Sequence, residues 1–236
     1  MGDVEAADWI VAGVRDFRYD VGSLLPQGFE AYARVFHPAL RHSAGGPDEV
    51  RWAAVAAANG RVAHPGMEWI SITGSWRFLH QDNQPGIWDE APREGSLPAR
   101  QAAELATLLA EHTTTPQRCW FAVWDGFGAI PPQLGRADIP RIALPHRSML
   151  LLAGSLSEAT TSIVAPPGDQ RASLWWPEDR AWCVATDVDL MTTYVGGTEE
   201  CVNALVDGDE VEAMPVSVDQ RVTWDSDQVI PTPPRP

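Results

Sequence analysis

The chain has 236 residues, 44% of them hydrophobic and 21% charged, with 17 basic residues against 32 acidic ones and a net charge of -15. That composition belongs to a globular chain, and its charge disfavours nucleic-acid backbones and anionic membrane surfaces, which are bound through cationic side chains. Every basic residue is Arg, which excludes Schiff-base chemistry, a Walker-type phosphate loop and a Lys general base.

In chain order, residues 3–14 are expected to form a short helix, with Asp3 as N-cap and Val4, Ala7, Val11 and Val14 on its inner stripe. Tyr32 to His37 reads as a strand, because Pro38 pushes the residue before it into an extended conformation. A Gly/Pro stretch at 44–47 then leads into DEVRWAAVAAANG, expected to be a helix with acids in its first turn and Gly60 as its stop. Residues 81–96 are polar and rich in turn formers, which predicts a loop. A helix follows over about 97–112, with Leu97, Leu105, Leu108 and Leu109 on one stripe and Pro98 in its first turn.

RCWFAVWD, 118–125, is apolar on both faces and predicts a central strand, with Trp120, Ala122 and Trp124 opposite Cys119, Phe121 and Val123. RIAL and SMLLLAGSL predict a hairpin turning near Pro145 and His146, and AWCVATDVD, 181–189, predicts a second buried strand. TEECVNALVDG carries Thr198 as cap and Gly208 as stop, and EAMPVSV predicts an edge strand because of Pro215. The expected fold is α+β: a single domain over 1–218 with a mixed or mostly antiparallel sheet and packed helices, then an extended or disordered tail over 219–236. An Arg-x-Trp-x-x-x-x-Asp spacing recurs at 118–125 and 180–187, the mark of either a duplicated unit or chance among 11 Trp and 17 Arg.

The three cysteines, Cys119, Cys183 and Cys201, are odd in number and lack CxxC spacing, so buried free thiols and a cytoplasmic location are expected. The acidic N-terminus does not read as a signal peptide, and no run approaches the ~18 apolar residues of a membrane span. No GxSxG, HExxH or paired-Cys motif is present, and no cofactor or metal site is expected. DGFGAIP keeps two of three dinucleotide glycines but places Pro131 at the third.

Residues that could carry a ligand cluster late in the chain. Asp187 and Asp189 follow a buried strand, where they could hold a cation, share a proton, cap local amides or bond Arg180. Trp175, Trp176 and Trp182 could stack on a ligand or fill a core, and Tyr194 precedes the Gly196-Gly197 step. The candidate ligand site is Trp175, Trp176, Asp187, Asp189 and Tyr194, with His37 or His64 converging on it if a metal is bound. Arg180, beside Glu178 and Asp179, is expected to be anchored by carboxylates. With no complete catalytic set, a non-enzymatic module that binds a protein partner is expected. The alternatives are a metal-assisted hydrolase or transferase using Asp187 and Asp189, and a small-ligand binder with a Trp-lined pocket.

Three segments resemble a recurrent family of uncharacterised proteins from GC-rich Gram-positive bacteria: LLPxGFEAYARVxHPA at 24–40, TPxRCWFxxWDGFG at 115–128 and WPxDRAWCVATDxDxxxTYVGG at 176–197. The resemblance implies a single-domain cytoplasmic protein and brings no activity, cofactor or catalytic residue with it. SLLPQGFEAY, 23–32, is also similar to the entry segment of SUKH-type immunity proteins.

Overall fold

The computed structural model describes residues 4–16, 18–128, 130–132, 134 and 139–235; Asp3, expected as a helix cap, lies outside them. Among the described residues, ten strands and five α-helices make an α+β fold around one eight-stranded antiparallel sheet. Its strands are β1 (Ala31–Phe36), β4 (Cys119–Trp124), β5 (Arg141–Leu144), β6 (Arg147–Gly154), β7 (Leu174–Pro177), β8 (Cys183–Thr186), β9 (Thr192–Gly197) and β10 (Ala213–Val216). They run in the order β10-β1-β9-β8-β7-β4-β6-β5, and β2 (Ala39–Ser43) pairs with β3 (Gly46–Val50) in a separate hairpin.

β4 and β8 lie inside the sheet, because an apolar residue at every position must find partners on both faces. β10 is an edge strand, and Pro215, opposite Ala33, costs no ladder bond there. One face carries α4 (Ala99–Ala110) and α5 (Glu199–Asp207), which bury Leu105, Leu109 and Leu205 against Phe121, Trp175 and Val195. The other face is covered by the N-terminal segment, where Ile10 and Val21 meet Trp176, Cys183 and Tyr194. A third cluster joins β1 to α2 (Trp52–Ala58) and α3 (Trp69–Thr73) through Phe36, Trp52, Trp69 and Trp88. The rings of Trp52, Trp69 and Trp88 follow one another at 5.3 and 5.1 Å between centroids.

Several local expectations shift by a few residues for physical reasons. The first helix is a 3-10 turn at Val4–Ala7 followed by α1 (Asp8–Gly13), and its buried stripe is Ala7, Ile10 and Val14, while Val4 and Val11 face solvent. DEVRWAAVAAANG does not begin as a helix: Asp48 and Glu49 sit in β3, opposite Arg41 and Leu40. The amides that open α2 are instead capped from a distance, Trp52 N–H and Ala53 N–H donating to the Glu212 carboxylate at 2.6 and 2.8 Å. α5 follows the local rule, with Thr198 Oγ1 accepting from Cys201 N–H.

Residues 219–235 form no helix or strand, but Val222, Asp227 and Ile230 are buried, which holds the segment to the domain as far as Ile230. The repeated Arg-x-Trp spacing marks no common unit. Trp120 packs with the N-terminal face, whereas Trp182 is on the helical face and donates to Leu109 O at 2.9 Å. All three cysteines are free and buried. Among the described residues no helix is long and apolar enough to cross a membrane.

Candidate functional site

β8 ends in the turn Asp187–Leu190, where Asp187 Oδ1 accepts from Asp189 N–H at 3.0 Å and Asp187 O from Leu190 N–H at 3.2 Å. This turn is braced from behind by Gly95, whose N–H donates to Leu190 O. At φ 76° a Cβ on Gly95 would fall 2.6 Å from Val188 O, so the close approach requires glycine. Asp187 is buried and Asp189 exposed.

In front of the turn lies a groove of about 310 Å³ built from three distant segments. Tyr19 and Leu24 form one wall, Val222 and Trp224 another, and Asp189 with Leu190 the lip. Tyr19 holds φ 58°, uncommon for a residue with a side chain, and its carbonyl accepts from Val222 N–H, which sets the two walls against each other. Ser23 supports this corner, donating to Asp20 Oδ1 at 2.8 Å and accepting from Arg18 N–H at 2.9 Å. A narrow extension runs past Asp187 toward Arg147 and Met149.

The charges in the groove are unequal. Asp187 Oδ2 lies 2.5 Å from Arg147 Nη1, and both side chains are largely shielded from water. Asp187 is therefore an internally balanced structural carboxylate. Asp189 faces the solvent at the lip with its charge available. Glu94 stands close enough that Asp189 adds to the burial that raises the Glu94 carboxyl, while His80 opposes it.

Of the residues singled out in the sequence, Asp187 and Asp189 line the groove and the aromatics do not. Trp175 and Trp176 are neighbours in a strand, so period-two alternation sends them to opposite faces of the sheet. Trp175 stacks on Phe121 and meets Trp182 edge-on, and Trp176 meets Trp9. Tyr194 is wholly buried beneath the N-terminal segment. The aromatic members of the groove are Tyr19 and Trp224, far apart in sequence, and no spacing rule connects them to Asp189.

Arg180 takes neither of the roles expected for it. It precedes β8 while Asp187 follows, and an extended chain of that length separates them by roughly 20 Å. Glu178 pairs with Arg118, and Asp179 accepts from Thr113, Thr114 and Ala181 N–H, which holds its carboxyl below the ordinary range. The Arg180 guanidinium lies over the Trp9 ring at 5.7 Å.

The two His-Pro histidines do not converge on the groove. His37 is fully buried with Nδ1 2.6 Å from Arg93 O, an obligate acceptor, so Nδ1 carries the proton and Nε2 accepts from Thr193 Oγ1 at 2.8 Å. Burial lowers its pKa to about 4. His64 Nε2 stands 3.3 Å from Asp227. Among the described residues no group of three His, Cys, Asp or Glu side chains is placed to hold a metal ion.

Beneath β1 lies an ionic cluster that local pattern did not signal. Arg34 is buried, donates to Met67 O at 3.0 Å and pairs with Glu68 at 3.1 Å. Glu68 also accepts from Ser226, and its N–H approaches Asp227, so the pair ties β1 to the C-terminal segment. Burial raises the Glu68 carboxyl and the nearby Arg34 charge opposes it. No protein-family model, curated protein or solved structure matches the chain.

Proposed function

We propose that this protein is a non-enzymatic interaction module whose groove takes a basic side chain of a protein partner. The observation that carries the reading is the exposed Asp189 carboxylate set at the lip of an aromatic and aliphatic groove. A Lys or Arg side chain has the matching shape, an apolar stem to lie along Leu24, Leu190 and Val222 and a cation to meet Asp189. Tyr19 and Trp224 bring aromatic side chains to the same groove. The net charge of -15 would steer a basic partner toward the protein at low ionic strength. The contacts of Asp187 with Arg147 and with the Asp189 amide favour a binding role over an acid and base pair.

The test uses acetyl-Leu-Arg-Leu-amide and its norleucine counterpart, with the Trp224 indole signal followed by NMR. The Arg peptide is expected to shift that signal saturably, less so at high salt, and Asp189→Arg to abolish the shift. Equal shifts from both peptides, or none from either, would remove the reading. Co-purification from the native cell then identifies the partner, and a stoichiometric divalent metal in the pure protein would turn the assignment toward metal-assisted chemistry at Asp187 and Asp189.

A further inference from the structure

We infer that Trp76 is the centre of a docking site for proline-rich, arginine-bearing extended peptides, and that the chain's own residues 231–235 occupy it as a displaceable strap. Trp76 is presented by its local sequence. Gly74, at φ 82°, ends α3 in a left-handed turn, and Ser75 caps the following 3-10 turn Trp76–Leu79 by accepting from Arg77 N–H. The indole then stands half-buried at the start of that turn.

That N–H donates to Pro233 O at 2.8 Å, and the Arg235 guanidinium lies over the same ring at 4.8 Å. Asp225 is near enough for Arg235 to act on its charge. The segment reads PTPPR, in which each proline fixes φ and removes a donor, so the run favours an extended polyproline II form whose carbonyls find no partner within the run. A Trp N–H to a carbonyl in a Pro-rich run, with a cation beside it, is the chemistry by which aromatic grooves read such peptides. The recognition set is therefore Trp76, which meets both the carbonyl and the cation.

The chain is pinned up to Ile230 and only lightly held beyond it. Ile230 is buried, and Val229 N–H and Ile230 N–H both donate to Asp227 Oδ1. After that anchor, Pro231, Pro234 and Arg235 are exposed and only Thr232 and Pro233 are half-buried. A strap with one hydrogen bond and one cation–ring contact, tethered next to its site, is replaced by a free peptide once the peptide exceeds the strap's effective concentration, millimolar for a short tether. The occupant proposed is a proline-rich, Arg-containing segment of a partner protein.

The experiment uses the full chain labelled with 5-fluorotryptophan, the Trp76 signal being assigned by its loss in Trp76→Phe. A second full-length variant carries Pro233→Gly and Arg235→Ser, which removes the strap's contacts and keeps its length. The probe is acetyl-Pro-Thr-Pro-Pro-Arg-Pro-amide. The double variant is expected to shift the Trp76 signal, and the peptide to move it saturably back toward its position in the unaltered chain. In the unaltered chain the peptide is expected to bind about tenfold or more weakly than in the double variant. An unchanged Trp76 signal in the double variant would show that the strap does not lie on the ring. Equal affinity for both chains, or for a peptide with every proline replaced by alanine, would overturn the inference. So would a concentration-dependent dimer seen only with the unaltered tail, which would assign the strap to a second copy of the chain.

Discussion

Arg147 Nη1 and Asp187 Oδ2 stand 2.5 Å apart, joining the β5–β6 hairpin to the turn that follows β8, with β7 and β4 between these strands in the sheet. The pair fixes the floor of the groove. Arg147 leaves the hairpin just after His146, whose φ of 60° completes the reversal, and reaches the one carboxylate that the turn buries. Removing Arg147 would leave Asp187 charged and shielded from water.

Arg147→Ala is accordingly expected to destabilise the fold by about 2–3 kcal/mol, less than for a fully buried pair because Arg147 keeps some contact with solvent. Asp187→Asn keeps an oxygen for the Asp189 amide and should cost less. Denaturant melts of the two single variants and the double variant give the coupling energy. Coupling near zero would mean that the pair does not hold the floor.

How far the sequence foretold this arrangement depends on the range of each interaction. β4, β8 and β10 were legible because their signals are local: apolar residues on both faces, or a proline that only an edge tolerates. The start of α2 was not, because Glu212 caps it from 160 positions along the chain. Asp187 and Asp189 were found because a turn after a buried strand is a local pattern, yet their groove partners Tyr19 and Trp224 are joined to them only by topology. The separation of Trp175 from Trp176 was within reach of sequence reasoning, since strand periodicity alone places neighbours on opposite faces.

The Arg34–Glu68 pair is a second place where a charge is buried with its partner. Glu68→Ala is expected to cost about 3–5 kcal/mol, because Arg34 would remain shielded among Phe36, Trp52 and Tyr194 without its counter-charge. Replacing both together, Arg34→Met with Glu68→Leu, should recover most of that loss. Since the Ser226 hydroxyl donates to the Glu68 carboxylate, the single variant should also speed amide exchange over 226–230 selectively. Uniform exchange would place the clamp elsewhere.

The three thiols are buried, and desolvation raises Cys119 and Cys201 to about 11 and Cys183 well above its ordinary value. Thiolate is the reactive form, so the native protein at pH 8 should react with a thiol reagent over hours. The denatured, unreduced protein should titrate three thiols at once. Rapid labelling of a native cysteine would mean that one of these packed faces opens readily.

The last prediction follows from His37, which lies fully buried and neutral between Arg93 O and Thr193 Oγ1. Thr186 Oγ1 stands 2.7 Å from Thr193 Oγ1, so with Nε2 accepting from Thr193, the Thr186 hydroxyl is the donor to Thr193. Protonating Nε2 would demand that Thr193 accept from it and turn its own hydroxyl proton elsewhere inside the sheet. Burial sets the folded pKa at about 4, below the 6.5 of the unfolded chain. Between those values the unfolded chain binds the proton and the folded one does not, so stability rises with pH there. The contribution is fully present above 6.5 and is lost as pH falls toward 4, about 3 kcal/mol in all. His37→Gln offers an amide N–H to Arg93 O and an oxygen to Thr193, at some cost in packing, and has no proton to gain. Chemical denaturation at pH 7 and pH 4.5 should therefore show a smaller pH-dependent loss in His37→Gln than in the unaltered protein, by about 2–3 kcal/mol. Parallel losses in the two would show that the buried carboxylates, not His37, set the acid limit.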